Sequence, residues 1–431
     1  MKIGSYVEVE TKGGDLLKGL VMQSIDNNTL SLKLDSGYNV GLNKNNINKI
    51  KELVKEKKKE IKQKEDIKFN ENLKTITILH TGGTVASRVD YSSGAVSPSF
   101  TPKDILNMFP ELKDIVNIKS RLVSNMWSGD MRFVHYNLMA KEIEKELRSG
   151  VDGVIVTHGT DTLAFSSCAM AFALENLDKP VIFVGAQRSS DRPSSDAAMN
   201  LLCAAYFITK TNFSDVGICM HSKSGDEYCD ILPACKTKKL HSSRRDAFKV
   251  VNGHLIARVS KNGNVEFLQT YQKKERKDKL SLKLFNKNLK IGVLKAHPSM
   301  WKEEIKAYGK FNGLIIEGTG LGHLNVDKID NDTAENELVY NEIKKLAKKI
   351  PVVIVSQCIF GRVNMNVYQY GRKLQQAGVL GNMLDITSEA AFIKLTWLLS
   401  NCKKRKDVEE SFVKNLRGEI SSRVLYEEEF I

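Results

Sequence analysis

Over the first fifty residues, apolar and polar positions alternate in short bursts broken by glycine and asparagine. Val7 and Val9 alternate with polar neighbours before Gly13-Gly14, and Leu20 and Met22 precede Asp26-Asn27-Asn28. Leu30, Leu32 and Leu34 then alternate strictly, and Ser36-Gly37 turns the chain before Tyr38, Val40 and Leu42. A period of two marks a half-buried strand, because successive side chains point to opposite faces. Tight Gly/Asn turns join antiparallel neighbours. Residues 1–50 are therefore expected to form a small β-barrel of the SH3-like kind. A domain of that size is marginal alone, so it is expected to dock on something else.

Residues 51–72 are expected to be a charged linker or solvated helix: Lys51 to Lys68 holds eight lysines against five acidic residues. From Leu73 the pattern changes. Apolar runs (Ile76 to Leu79, Val154 to Val156, Val181 to Val184, Val216 to Cys219) alternate with segments whose apolar residues recur every three or four positions, notably Tyr136 to Leu147 and Ala197 to Ile208. That is the rhythm of a doubly wound α/β domain. A charged stretch, Lys273 to Lys279, interrupts it before strands resume at Ile291 to Leu294, Leu314 to Ile316 and Val352 to Val355. The expected architecture is an α/β lobe over 73–272, a charged connection over 273–288, and a smaller α/β lobe over 289–431 with a long helix near Ser388 to Leu399.

Bulk properties narrow the class. The chain has 431 residues, enough for several cores, with 42% hydrophobic and 27% charged residues. No apolar run approaches the roughly 18 residues a membrane span needs, and the N-terminus lacks the apolar stretch of a secretory signal. Seven scattered cysteines without a CxxC argue against structural zinc and fit free thiols. A cytoplasmic protein without membrane contact is expected. The net charge of +14 is compatible with an anionic partner such as nucleic acid and equally with a plain solvated surface.

Polar groups recur where apolar runs end. Thr81-Gly82-Gly83-Thr84 follows the first run, with Tyr91 seven residues beyond Thr84; Thr157-His158-Gly159-Thr160-Asp161-Thr162 follows the run from Val151 to Val156. Gly185-Ala186-Gln187-Arg188 follows Val184, Ser128-Gly129-Asp130-Met131 precedes a helix, and Lys236, Lys238 and Lys239 lie before Leu240-His241-Ser242-Ser243. Ligands sit at the carboxyl ends of strands in open α/β sheets. Two threonines, a carboxylate and an amine there suit activation of a hydroxyl nucleophile. Asp161 has few structural reasons to stand at a strand end, whereas His158 reads as hydrogen-bonded structure. Gly318-Thr319-Gly320-Leu321-Gly322-His323 has the wrong glycine spacing for a dinucleotide loop and reads as a tight turn.

In order and spacing, TGGT, HGTDT, the GA turn and a later lysine resemble the bacterial-type L-asparaginase/glutaminase family, over roughly Leu73 to Leu399. The resemblance implies an asparaginase-like two-lobed fold and hydrolysis of a side-chain amide to acid and ammonia. It implies Thr84 as the nucleophile that forms an acyl-enzyme, with Tyr91 assisting it. Thr160, Asp161 and Lys239 match the second threonine and its carboxylate–amine partners, and Ser128 and Asp161 match positions that hold the substrate's α-carboxylate and α-amine. Ala186 matches the turn that lines the pocket. Spacing alone leaves open which of Lys236, Lys238 and Lys239 acts; register with Ser242-Ser243 selects Lys239. Gly129 departs from the family, which offers a side chain there. No metal or organic cofactor is implied in this chain.

Two departures narrow the resemblance. The N-terminal β-rich segment and the Lys239 to Phe248 stretch, with its Arg244-Arg245, are similar to the amidase subunits of archaeal tRNA-dependent amidotransferases. That resemblance implies a heteromeric complex with the E-type subunit of those enzymes, a heterotetramer built on a homodimer of this chain. ATP and magnesium would be used by the partner, and ammonia from glutamine or asparagine would convert Glu-tRNA(Gln) to Gln-tRNA(Gln). A stand-alone cytoplasmic asparaginase/glutaminase is the alternative reading.

Overall fold

The computed structural model describes residues 3–22, 24, 26–34, 39–53, 69–83, 85, 87–90, 95–98, 101–190, 194–269, 271 and 278–424. At the N-terminus, Tyr6–Thr11, Leu16–Met22, Thr29–Leu34, Asn39–Asn43 and Ile47–Glu52 form one antiparallel sheet, with Asn39–Asn43 and Ile47–Glu52 at its edges. Val7, Val9, Val21, Leu30 and Leu32 are its core. The second strand buries the parity opposite to Leu20 and Met22. Gly19-Leu20-Val21-Met22 is apolar throughout and leaves the parity open; the pairing of Val21 with Leu32 turns Val21 inward. The fifth strand, INKIKE, extends through Glu52 into the lysine-rich stretch. It pairs with Tyr6–Thr11, and only Ile47 and Ile50 of it pack on the core.

The larger lobe is built on an eight-stranded sheet. Its order is Val265–Phe267, Ala257–Ser260, Tyr228–Pro233, Val216–His221, Val181–Val184, Gly153–Thr157, Thr75–His80 and Asn117–Leu122. The last five of these are parallel; the first three join antiparallel, so the sheet is mixed rather than wholly parallel. Gly153–Thr157 and Val181–Val184 are buried along their whole length, as parallel strands covered on both faces must be. Val154 and Val156 enter one core with Phe133–Arg148 and Leu163–Ala173, while Ile155 enters another with Ala197–Lys210. Alternate side chains thus face helices on opposite sides of the sheet.

In the smaller lobe, Ile291–Lys295, Gly313–Gly318 and Val352–Ser356 form a parallel sheet. Helix Ser388–Asn401, capped by the Thr387 hydroxyl accepting from Ala390 N at 3.2 Å, joins the lobes. Its Ala390, Leu395 and Trp397 share one core with Ala169 and Phe172 of the first lobe and Ile315 and Val353 of the second. The Trp397 and Phe172 rings lie 5.4 Å apart. Because one continuous core spans both lobes, strand ends and loops from each are held at fixed spacing. Thr319 and His323 bridge to form the tight turn expected there. Among the described residues, no helix is long and apolar enough to cross a membrane.

Candidate active site

Thr75–His80 and Gly153–Thr157 pair in register up to His80 opposite Thr157, so their two following motifs leave the sheet side by side. Thr81 fastens them: its backbone N–H and its hydroxyl both donate to the Thr157 carbonyl, at 3.1 and 3.0 Å. Gly83 has φ +85°, and a Cβ there would lie 2.7 Å from Gly159 N. A Cβ on Gly159 would in turn lie 2.7 Å from Ser128 Oγ. Two backbones and the Ser128 side chain, from three loops, meet here at distances only glycine permits. Ser128 is 3% exposed, and its carbonyl accepts the Thr162 hydroxyl at 2.7 Å.

Across from Asp161, the short strand Thr237–Lys239 pairs with Phe248–Val250, with Lys239 opposite Phe248. The three candidate lysines go to three destinations. Lys236 Nζ is buried against Asp385 Oδ2 at 2.8 Å, and Lys238 pairs with Glu389. Lys239 Nζ donates to Thr160 Oγ1 at 2.9 Å and to Asp161 Oδ1 at 2.8 Å. Beside this trio lies a cleft of about 350 Å³ lined by Asp161, Phe165, Lys238, Lys239, His241 and Glu389. Ala186 is buried at the adjacent strand end. Thr84 and Tyr91 lie outside the described residues.

The hydrogen bond from Lys239, aided by its charge and by the Trp127 indole, holds the Asp161 carboxyl below the usual carboxylate range. A depressed value means the carboxylate form persists to lower pH than in the unfolded chain, where Asp titrates near about 3.9. The favourable contact is complete above that pH and is lost as pH falls through the lowered value. The acid limb of any activity that needs ionised Asp161 is therefore expected below the ordinary carboxylate range. A kcat–pH profile carried to acid tests this; a limb above about 4 would remove Asp161 from that role.

His158 is wholly buried, and its Nδ1 sits 2.7 Å from the Gly159 carbonyl. Burial pushes its pKa down to about 4, so the ring is neutral at physiological pH and acts as structure. Sequence reasoning passed over two residues. Trp127, 73% exposed, reaches Asp161, and Gln187 Oε1 lies 3.5 Å from Thr160 Oγ1. Gln187 was legible only as part of a turn. A tryptophan next to Ser128 in a polar stretch was the signal for the other.

Threonine, carboxylate and amine converging at the carboxyl ends of a parallel sheet in a two-lobed α/β chain define an asparaginase-type amidohydrolase. Residues 75–273 match the N-terminal asparaginase domain, 290–412 the glutaminase/asparaginase C-terminal domain, and 1–53 the GatD N-terminal domain. GatD of Pyrococcus furiosus, one of the subunits of glutamyl-tRNA(Gln) amidotransferase, is 39% identical over 98% of this chain and 95% of its own length. GatD of Methanococcus maripaludis is 40% identical over 98% and 99%. The thermostable L-asparaginase of Thermococcus kodakarensis superposes with a TM-score of 0.71 at 26% identity, over 81% of this chain and all of that one. The chain belongs to the GatD family of glutamyl-tRNA(Gln) amidotransferase subunits, as its motifs and N-terminal segment led us to expect.

Proposed function

We propose that this chain hydrolyses the side-chain amide of glutamine or asparagine and passes the ammonia to its partner GatE, the E-type subunit, for conversion of Glu-tRNA(Gln) to Gln-tRNA(Gln). The observation that carries this reading is Lys239 hydrogen-bonded at once to Thr160 and Asp161. In the proposed reaction, the Thr84 hydroxyl attacks the carboxamide carbon and its proton is taken up through the Thr160–Lys239–Asp161 group. The C–N bond breaks as that proton returns to the departing ammonia. Water then attacks the acyl-enzyme, releasing the acid and restoring Thr84. A threonine hydroxyl is barely ionised at neutral pH, so a relay of this kind is what makes it a nucleophile. Tyr91 assists Thr84, and Ser128 and Asp161 hold the substrate's α-carboxylate and α-amine. The Ala186 turn closes the pocket.

In this reading the chemistry needs no cofactor in this chain, and ATP and magnesium act on the partner, in a heterotetramer built on a homodimer of this chain. The match of residues 1–53 to the GatD N-terminal domain favours it over a free asparaginase. The test is ammonia release from glutamine by the purified chain, alone and then with GatE, Glu-tRNA(Gln) and ATP. Low release alone that rises sharply in the full mixture is expected. High release indifferent to every addition would make the chain a free amidohydrolase.

A further inference from the structure

The segment after Lys239 carries Arg245, which begins a run of polar contacts that the reaction above does not use. Arg245 Nη1 donates to Asp226 Oδ1 at 2.7 Å, and its other nitrogen reaches the Ser224 carbonyl. Asp226 Oδ1 lies 3.0 Å from His221 Nε2, and His221 Nδ1 lies 2.5 Å from Asn200 Oδ1. Asn200 Nδ2 donates to the Gly185 carbonyl at 3.0 Å and to Asp196 Oδ2 at 3.2 Å. Asp196 accepts the backbone N–H of Gln187 and of Arg188, each at 3.0 Å. The run starts on the segment that bears Lys239 and ends beneath the turn whose Gln187 meets Thr160. Asp196 and Asn200 are 0% exposed and His221 is 1% exposed.

Counting donors and acceptors sets the charge of the ring at its centre. The Asn200 amide nitrogen faces a carbonyl and a carboxylate, both acceptors, so its oxygen is the atom that faces His221. That oxygen cannot donate, so His221 Nδ1 carries a proton. Nε2 faces Asp226. Burial pushes the Asp226 carboxyl up, but its His221 and Arg245 contacts outweigh this and hold it below its ordinary range. An ionised carboxylate also cannot donate, so Nε2 carries a proton as well. His221 is therefore an imidazolium. Burying a cation in a strand is costly unless it is paired, and side chains needed only for packing would be apolar.

We propose that His221, Asn200 and Asp196 are positioning residues for amide hydrolysis: the His221 imidazolium fixes Asn200, which holds Asp196 and with it the Gln187 turn against Thr160. Asp226 and Arg245 tie the same strut to the Lys239 segment, so both walls of the site are kept at one spacing. The proposal rests on the amidase reading above. Asp226 and Cys229 face the ring, Arg245 sits on Asp226, and Lys249 donates to the Ser222 carbonyl at 2.9 Å.

Asp226→Asn, at a side chain 57% exposed, should leave the fold intact and removes the charge that favours the imidazolium. Its complex with GatE and Glu-tRNA(Gln) is expected to lose about ten- to a hundredfold in kcat for glutamine with KM little changed. His221→Gln, which keeps a donor but no charge, should lose as much kcat. A merely structural role would lower the melting temperature and leave kcat and KM of the folded fraction unchanged. Unchanged kcat in both variants would overturn the proposal. Nitrogen NMR of the histidine-labelled chain, with the His221 signal assigned by its absence in His221→Gln, gives a second readout. Two protonated ring nitrogens at neutral pH are expected, and one bare nitrogen overturns the proposal whether or not ammonia is released. No ammonia from the wild-type complex would instead sink the amidase reading, and the positioning role with it.

Discussion

Lys239→Ala is expected to lower kcat for amide hydrolysis about 10²–10⁴-fold, the usual contribution of one positioned proton-transfer group. Its amine is the only link between Thr160 and Asp161 among the described contacts. Removing it leaves Thr160 without a proton partner beyond the 3.5 Å approach of Gln187. The fold should survive, because the strand bearing Lys239 is held by its backbone pairing with Phe248–Val250 and by the buried Phe248. Ammonia release and a melting curve on the same preparation decide the matter. Full ammonia release in Lys239→Ala would end the proposed mechanism, whereas loss of activity with loss of structure would point to folding.

The second large effect is on stability. Lys394, on the helix that joins the lobes, is fully buried, and its Nζ donates to Glu419 Oε1 and to the Lys414 carbonyl, each at 2.5 Å. Glu419 also accepts the backbone N–H groups of Leu416 and Arg417, at 3.0 and 2.6 Å. Lys394→Ala removes the cation and leaves the Glu419 carboxylate buried with only the backbone N–H groups as partners. Breaking a buried pair in this one-sided way costs about 3–5 kcal/mol. At roughly 1 °C per kcal/mol for a chain of this length the melting temperature should fall by about 5 °C. Lys394→Met with Glu419→Gln, which leaves no charge behind, should recover most of the loss. A single variant that loses under about 1 kcal/mol would show that the carboxylate finds water or another partner.

Much of the fold was legible because its periods were clean. Val181–Val184 is the strand its apolar run predicts, and Tyr136 to Leu147 lies inside helix Phe133–Arg148. Parity failed at Leu16–Met22, where four consecutive apolar residues carry no period and only the partner strand decides which face is buried. Ile47–Glu52 escaped notice because four of its residues are polar and its place in the sheet comes from backbone pairing with Tyr6–Thr11.

The sequence by itself determined the family and the strand-end motifs, because both lie in local residue order and in periods of two and 3.6 that follow from backbone geometry. It named Thr160, Asp161 and Lys239 but left Lys236 and Lys238 as rivals, since all three lysines share one short stretch. Tertiary structure separates them. Asp385 and Glu389, about 150 positions away, claim Lys236 and Lys238 and leave Lys239 for Thr160 and Asp161. The His221 strut was equally hidden, because Asp196, Asn200, His221, Asp226 and Arg245 meet only when strand, helix and loop are packed. Contacts between residues distant in the chain are set by which faces the core buries, and no local pattern records that.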